Sequence, residues 1–373
     1  MTGSSRDHRL ISRRALLTGG AGLLAAYALG CGDDKPSPIA SPAATGTRAP
    51  PPGTATPAST PSVMRWRRIE ASGQQPSGRR DHSPVTDGRT LLLFGGRTNG
   101  EILADYWTFH LEANSWLQPA VGAGPAARFG HNAVYDATTA RMLVFAGQAG
   151  GDFFNDVWAL YNQPPEWRPL DSGSGPAQRY GAASALNADG RLLVSHGFTH
   201  QGRFDDSWFF LYAPSAVWSD VSPADNRPVK RCLCRGAWDS ARNRFLMFGG
   251  QTDGEPFLGD LWALDEVLLR LGGWQEITSE PKPSPRNFYA MAETDPGRIA
   301  LFGGSTEDGE TNDLWLFDSQ TDTWTLAQPE GDPPSARYGH DAVWLPDTRR
   351  LIVFGGHDAT GDLNDLWELT IPA

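Results

Sequence analysis

From Met64 onward, apolar residues come in short runs that stop at a pair of small residues, and polar turn segments separate the runs. Leu91–Phe94 runs into Gly95-Gly96 and Ile299–Phe302 into Gly303-Gly304. The same pattern ends at Ala146-Gly147, His196-Gly197, Gly249-Gly250 and Gly355-Gly356. Runs of this length with alternating neighbours and glycine-rich boundaries predict many short strands joined by tight turns. Sustained helical periodicity is missing; Asp265–Leu271 is the one short helical candidate. Around each run the same landmarks return in fixed order. An Arg comes first, at positions 79, 128, 179, 231, 286 and 337, spaced 49 to 55 residues apart. After the small pair comes Asp-x-Trp, at Asp105/Trp107, Asp156/Trp158, Asp206/Trp208, Asp260/Trp262, Asp313/Trp315 and Asp365/Trp367. A second Trp closes the unit, at 116, 167, 218, 274 and 324. The sixth copy runs out before its second Trp, and the missing piece stands at the other end, as Trp66 in Arg65–Ile69. A ring closed by that N-terminal strand would leave no sheet edge unpaired. In the last unit the pattern predicts strands over Gly339–Leu345, Arg350–Phe354, Asp365–Leu369 and Arg65–Ile69.

A small pair, then Asp-x-Trp, then Trp, at a period near ~52 over residues 64–373, resembles the kelch repeat. The resemblance implies an all-β, six-bladed propeller of four antiparallel strands per blade, related to the central domain of galactose oxidase. Ala146 and His196 replace the first glycine of the pair in two copies and predict altered turns there.

Composition sharpens this picture. The chain has 373 residues with 42 Gly, 29 Pro and 14 Trp, and a formal charge of −11. No basic stripe is visible, which argues against nucleic acid as partner. Only three cations are Lys; the other 29 are Arg, a planar fork suited to carboxylates.

The first 63 residues read as an address and a tether. Arg6, Arg9, Arg13 and Arg14 precede an apolar run of 16 residues, Ala15–Gly30. That is short for a membrane span of about 20 residues and fits a secretory signal. Ser12-Arg13-Arg14-Ala15-Leu16-Leu17 resembles a twin-arginine export signal, and Ala28-Leu29-Gly30-Cys31 resembles a bacterial lipobox, which implies lipid on Cys31. Residues 31–63 hold eight Pro among Ala, Thr and Ser, a composition unable to bury a core. The expected organisation is a signal over 1–30, a tether over 31–63 and a propeller over 64–373. The product would be an exported, membrane-anchored monomer facing the periplasm or cell exterior.

Candidate chemistry lies in the repeated residues and in their deviations. Six arginines at the entry to six inner strands would ring one mouth of a central channel and clamp an anionic ligand. The alternative is that each pairs with a local acid and staples blades. Asp81, Phe129, Tyr180, Asn287 and Tyr338 fall near the same mouth. Three residues past the arginines stand His82, His131, Ala182, Cys234, Tyr289 and His340. Three histidines in neighbouring blades could meet on zinc, but the odd offset on a strand turns them away from the Arg, toward the blade interface. The repeated Trp are expected to fill the wedges between blades, and the repeated Asp to lock turns. Trp238 and Trp344 stand outside the repeat. Cys232 and Cys234 share a strand face, either as two buried thiols or as a strained disulfide.

No catalytic residues, metal site or cofactor are assigned. The sequence supports a tethered binding module that recognises a protein segment, glycan or anion through one propeller face. Two readings stand beside it: a sugar-acid mutarotase or epimerase built on an Arg clamp with a His or Glu base, and a structural subunit of an envelope complex. The Tyr–Cys copper site of galactose oxidase and the ligand set of nitrile-specifier relatives do not map onto this chain.

Overall fold

The computed structural model describes residues 63–373, apart from 163, 172–173, 213–214 and 266–272. The expected signal, the tether and Cys31 lie outside the described residues, as does nearly all of the helical candidate Asp265–Leu271. Within them, six antiparallel sheets follow one another along the chain, five of four strands and one, in blade five, with the short strand Arg286–Asn287 added to its four. Blade one comprises Ser83–Thr86, Thr90–Phe94, Tyr106–His110 and Ser115–Leu117. Blade six comprises Asp341–Leu345, Arg350–Asp358, Gly361–Thr370 and, fourth, the N-terminal Arg65–Ile69. The closing strand pairs Trp66 with Leu369 and Arg68 with Trp367. First strands of successive blades touch in turn, and the sixth touches the first, so the ring is closed around a channel. Helix is confined, among the described residues, to one turn at Pro346–Thr348.

Three strands of blade six differ in their limits from expectation. In blade six the inner strand begins at Asp341 rather than Gly339, because Gly339 adopts φ +67°. The second and third strands run past the glycine pair and stay paired through His357 with Asp362 and Asp358 with Gly361.

The wedge between blades is filled by rings in a repeating arrangement. In five of the six blades the outer Trp meets the Phe that ends the second strand of the blade before. Trp116 packs on Phe354 with centroids 5.1 Å apart, Trp167 on Phe94 at 5.1 Å and Trp218 on Phe145 at 4.9 Å. Trp324 lies 5.7 Å from Phe248, and the closing Trp66 lies 5.0 Å from Phe302. The off-repeat tryptophans are core as well: Trp238 is buried among blades three and four, and the half-buried Trp344 lies under the Arg349 guanidinium.

The substituted pairs do not alter their turns. Ala146 (φ +64°) and His196 (φ +63°) take the same left-handed conformation as Gly95 (φ +63°). What changes is the neighbour. A Cβ on Gly95, Gly303 or Gly355 would press on the imidazole of His131, His340 or His82 from the next blade. Opposite Ala146 stands Ala182, and opposite His196 stands Cys234, so a larger residue on one side of the seam is matched by a smaller one across it. His196 fills a second hole too. Its blade carries Ser195 where the others end in Phe, and Trp274 packs on the His196 ring instead, 5.9 Å away.

Candidate functional site

Each blade entry presents four consecutive positions with four different fates, counted from the repeated Arg. The Arg itself turns inward. Arg79, Arg128, Arg179, Arg231, Arg286 and Arg337 are no more than 1% exposed. Each guanidinium forks onto the Asp of its own Asp-x-Trp: in blade one, Nη1 reaches Asp105 Oδ1 at 2.7 Å and Nη2 reaches Oδ2 at 2.8 Å. Nε donates to the carbonyl two residues back, and Nη1 also donates to the carbonyl of the first residue of the small pair. The same set recurs at Asp156, Asp206, Asp260, Asp313 and Asp365. The indole N–H of the Asp-x-Trp tryptophan donates to the same carboxylate, at 2.6–2.8 Å in all six blades. Burial pulls the Asp105 carboxyl upward, but the Arg79 bonds and charge with the Trp107 N–H outweigh it and hold it below the usual carboxylate range.

This corrects the channel-mouth placement of Arg79, Arg128, Arg179, Arg231, Arg286 and Arg337. Their donors are spent inside the scaffold, so they form no open anion clamp and offer none to a mutarotase. They do staple seams. The Arg79 backbone bonds to Leu363 and Gly356 of blade six, while its side chain holds blade one. Removing one member of a buried, forked pair costs about 3–5 kcal/mol, because the other charge is left uncompensated. The repeated Asp is thus the acceptor of this clasp, rather than the turn-locking acid expected.

One residue on, the side chains reach the mouth. Phe129 and Tyr180 pack with centroids 5.4 Å apart, and Tyr338 lies 5.7 Å from Phe288 and 5.3 Å from His357. Asn287 turns aside to Gln251 and the Pro256 carbonyl. Charges on the rim are paired. Arg97 Nε donates to Asp81 Oδ2 at 2.6 Å with its guanidinium over the Phe129 ring, and Arg80 Nη1 and His357 Nδ1 both lie against Asp362 Oδ1. Burial pushes the Asp81 carboxyl up despite the nearby Arg97 and Arg80 charges.

Two residues on, the backbone forms a collar. All six positions (Asp81, Gly130, Gly181, Leu233, Phe288 and Gly339) have φ between +52° and +67°. The left-handed region is costly for bulky residues, so Leu233 and Phe288 are strained positions at this mouth. Beneath the collar lie two cavities. The upper is lined by Asp81, Tyr180, Leu233, Cys234, Arg235 and Phe288, among others. The lower, of about 110 Å³, is polar and lined by Ser83, Asn132, Ser184, Arg235 and Asp341. Arg235 borders both, with Nη2 3.4 Å from Asp341 Oδ2.

Three residues on, the side chains enter the seams. His82, His131 and His340 are fully buried, each in a different seam, which separates them for metal binding. Among the described residues no group of three or more His, Cys, Asp or Glu is placed to hold a metal ion. Cys232 and Cys234 are free, buried thiols; burial pushes the Cys234 thiol up to about 12.

Sequence reasoning placed Asp81, Phe129, Tyr180 and Tyr338 at the mouth correctly and missed Arg235, Leu233 and Phe288. The available signal was at the collar position, where Leu233 and Phe288 stand against three glycines.

The comparisons with known proteins agree with this architecture. The family model of the KLHDC2/KLHL20/DRC7 Kelch-repeats domain matches residues 58–235 and 211–372. Adagio-like protein 3 of Oryza sativa subsp. japonica is 27% identical over 327 residues, covering 82% of this chain and 51% of that protein. Adagio protein 3 of Arabidopsis thaliana is 28% identical over 332 residues, covering 82% and 52%. Host cell factor of Drosophila melanogaster is 25% identical over 357 residues, covering 83% and 23%. The chain thus spans about half the length of the first of these relatives, and all three are eukaryotic. With the family model matched along nearly the whole ring and six blades closed as its repeats demand, the chain belongs to the kelch-repeat β-propeller family.

Proposed function

We propose that this propeller is a protein-interaction module that holds a segment of a partner protein against the collar mouth. The observation that carries this reading is the asymmetry of that mouth. All six arginine clasps and five of the six Trp seam packings repeat a common plan, whereas Phe288, Arg97 and Arg235 each occur in one blade only, and a Tyr follows the clasp arginine in just two blades, at Tyr180 and Tyr338. A ligand without six-fold symmetry is read by residues that break the symmetry. Aromatic rings with paired cations on a rim are the composition of interface hot spots, which bury area at low entropic cost. In place of an anion clamp, the mouth offers mixed charge: Arg97 with Asp81, Arg80 with Asp362, Arg235 with Asp341.

A photo-crosslinking residue at Tyr338 is expected to capture a defined partner, and the same residue at the exposed Leu117 on an outer strand is not. Tyr338→Ala should weaken binding of the identified partner about tenfold, the loss of one aromatic anchor worth about 1–2 kcal/mol. Equal capture from both positions would remove the mouth from consideration.

The address is a separate reading, supported by residues 12–31 alone. Under it the chain is a bacterial lipoprotein exported by its twin arginines and carrying lipid on Cys31, with residues 31–63 as tether to the propeller. Labelled palmitate should enter the full chain and fail to enter Cys31→Ser; an unlabelled wild-type chain would refute it.

A further inference from the structure

The collar is a ring of backbone hydrogen bonds, and one link is open. Asp81 N–H donates to the Gly339 carbonyl at 2.8 Å, Gly130 to Asp81 at 2.7 Å and Gly181 to Gly130 at 3.1 Å. Leu233 donates to Gly181 and Gly339 to Phe288, each at 2.8 Å. In every one of these five links at least one partner is glycine. The sixth would join Phe288 N–H to the Leu233 carbonyl, and among the described residues it is not made. There neither partner is glycine, and two bulky side chains with left-handed backbones meet across one seam. A backbone N–H and carbonyl left out of such a ring are free to pair with a ligand.

Both residues line the upper cavity, with the Tyr180 ring and Arg235 beside them. That cavity is small, ≈ 20 Å³, enough for the tip of a group but not for a sugar or a long side chain. From this the geometry points to a binding site, at the seam between Leu233 and Phe288, for an amide group carried by the partner segment. The proposal rests on the interaction reading above and names its chemistry. The occupant must accept from Phe288 N–H and donate to the Leu233 carbonyl. A carboxylate only accepts and an ammonium only donates; an amide does both from two atoms in one plane. Inserted there, it completes the ring as a sixth peptide unit, flanked by the apolar faces of Tyr180, Leu233 and Phe288. The amide can come from an Asn or Gln side chain or from the main chain of the partner.

The test needs no partner. Saturation-transfer NMR on the full chain would use acetamide for the side-chain source, N-methylacetamide for the main-chain source, and acetate and methylammonium as probes of charge. At least one amide should bind saturably, with Kd on the order of millimolar to tens of millimolar for so small a probe, and at least tenfold more tightly than acetate or methylammonium. Phe288→Gly and Leu233→Gly, each restoring a glycine to the seam, should close the sixth link and abolish amide binding while melting at or above the wild-type temperature. Acetate binding as well as the amides, no amide binding by the wild type, or amide binding that survives both glycine variants would overturn the proposal. Capture from Tyr338 without amide binding would retain the face and remove the seam; amide binding without capture would do the reverse.

Discussion

Trp66→Ala lowers the stability of the whole propeller by about 3–5 kcal/mol, and deletion of residues 63–70 prevents a native ring from forming. Trp66 is 4% exposed and packs into a cluster drawn from blades five and six, including Phe302, Leu314, Val353 and Leu369. Its strand supplies the entire fourth strand of blade six, in register from Arg65–Thr370 to Ile69–Leu366. Without it the third strand of that blade is an exposed edge carrying unpaired N–H and C=O groups, and the wedge against blade five loses its largest ring. Because the strand comes from the far end of the sequence, it locks the ring as well as filling it. Denaturant unfolding followed by Trp fluorescence should show a single shifted transition for Trp66→Ala. An unchanged midpoint would mean that the ring closes by other contacts.

Much of this was legible before any coordinates, and the reason is repetition. Six copies in register fix the blade count, and the displaced Trp66 fixes the closure, because each landmark is a packing requirement met once per blade. The mouth was harder to read for the same reason. Repetition draws the eye to the arginines, yet a residue present in every blade serves what every blade needs, here the clasp to Asp-x-Trp. Neighbouring side chains alternate, so the Arg turns inward while Phe129, Tyr180 and Tyr338 face the mouth, and only the collar position one step further reverses the chain into left-handed backbone. Strand alternation alone does not contain such a reversal. Arg235 was hidden differently: it is a single cation on an inner strand, without motif or spacing to mark it, and only the meeting of six inner strands makes it the wall of two cavities. The trio Ser195, His196 and Cys234 is legible only afterwards, since the exchange of ring sizes runs across a seam between residues about 40 positions apart.

Acid should unfold the propeller steeply, well above the pH at which carboxylates alone would act. Burial, reinforced by the charges of Arg128, Arg231 and Arg337, lowers His131, His196 and His340 to about 3, and burial with Arg79 lowers His82 well below its ordinary range. In the unfolded chain these imidazoles titrate near 6.5. Above that pH both states hold them neutral and they contribute no pH dependence. Between about pH 6.5 and 3 the unfolded state takes up their protons and the folded state does not, so stability falls as pH falls. Each contributes about 1.4 kcal/mol per pH unit in that window, and the three at about 3 together contribute roughly 4 kcal/mol per unit. Two pH units below 6.5 the loss is about 8 kcal/mol, comparable to the whole stability of an ordinary domain. The clasp carboxylates Asp105, Asp206, Asp260, Asp313 and Asp365, all held below their ordinary range, add to the loss lower down. Native Trp fluorescence should therefore disappear near pH 4.5. His340→Tyr supplies the control. Tyr289 occupies the equivalent slot in blade five and donates to the Phe248 carbonyl, as His340 Nε2 lies 3.1 Å from that of Phe302. A neutral ring there removes one titrating group, and the variant should lose stability with a slope about a quarter to a third smaller and unfold at lower pH. A propeller that keeps its full stability to pH 3, or a variant with the wild-type slope, would show that these imidazoles are protonated in the folded ring.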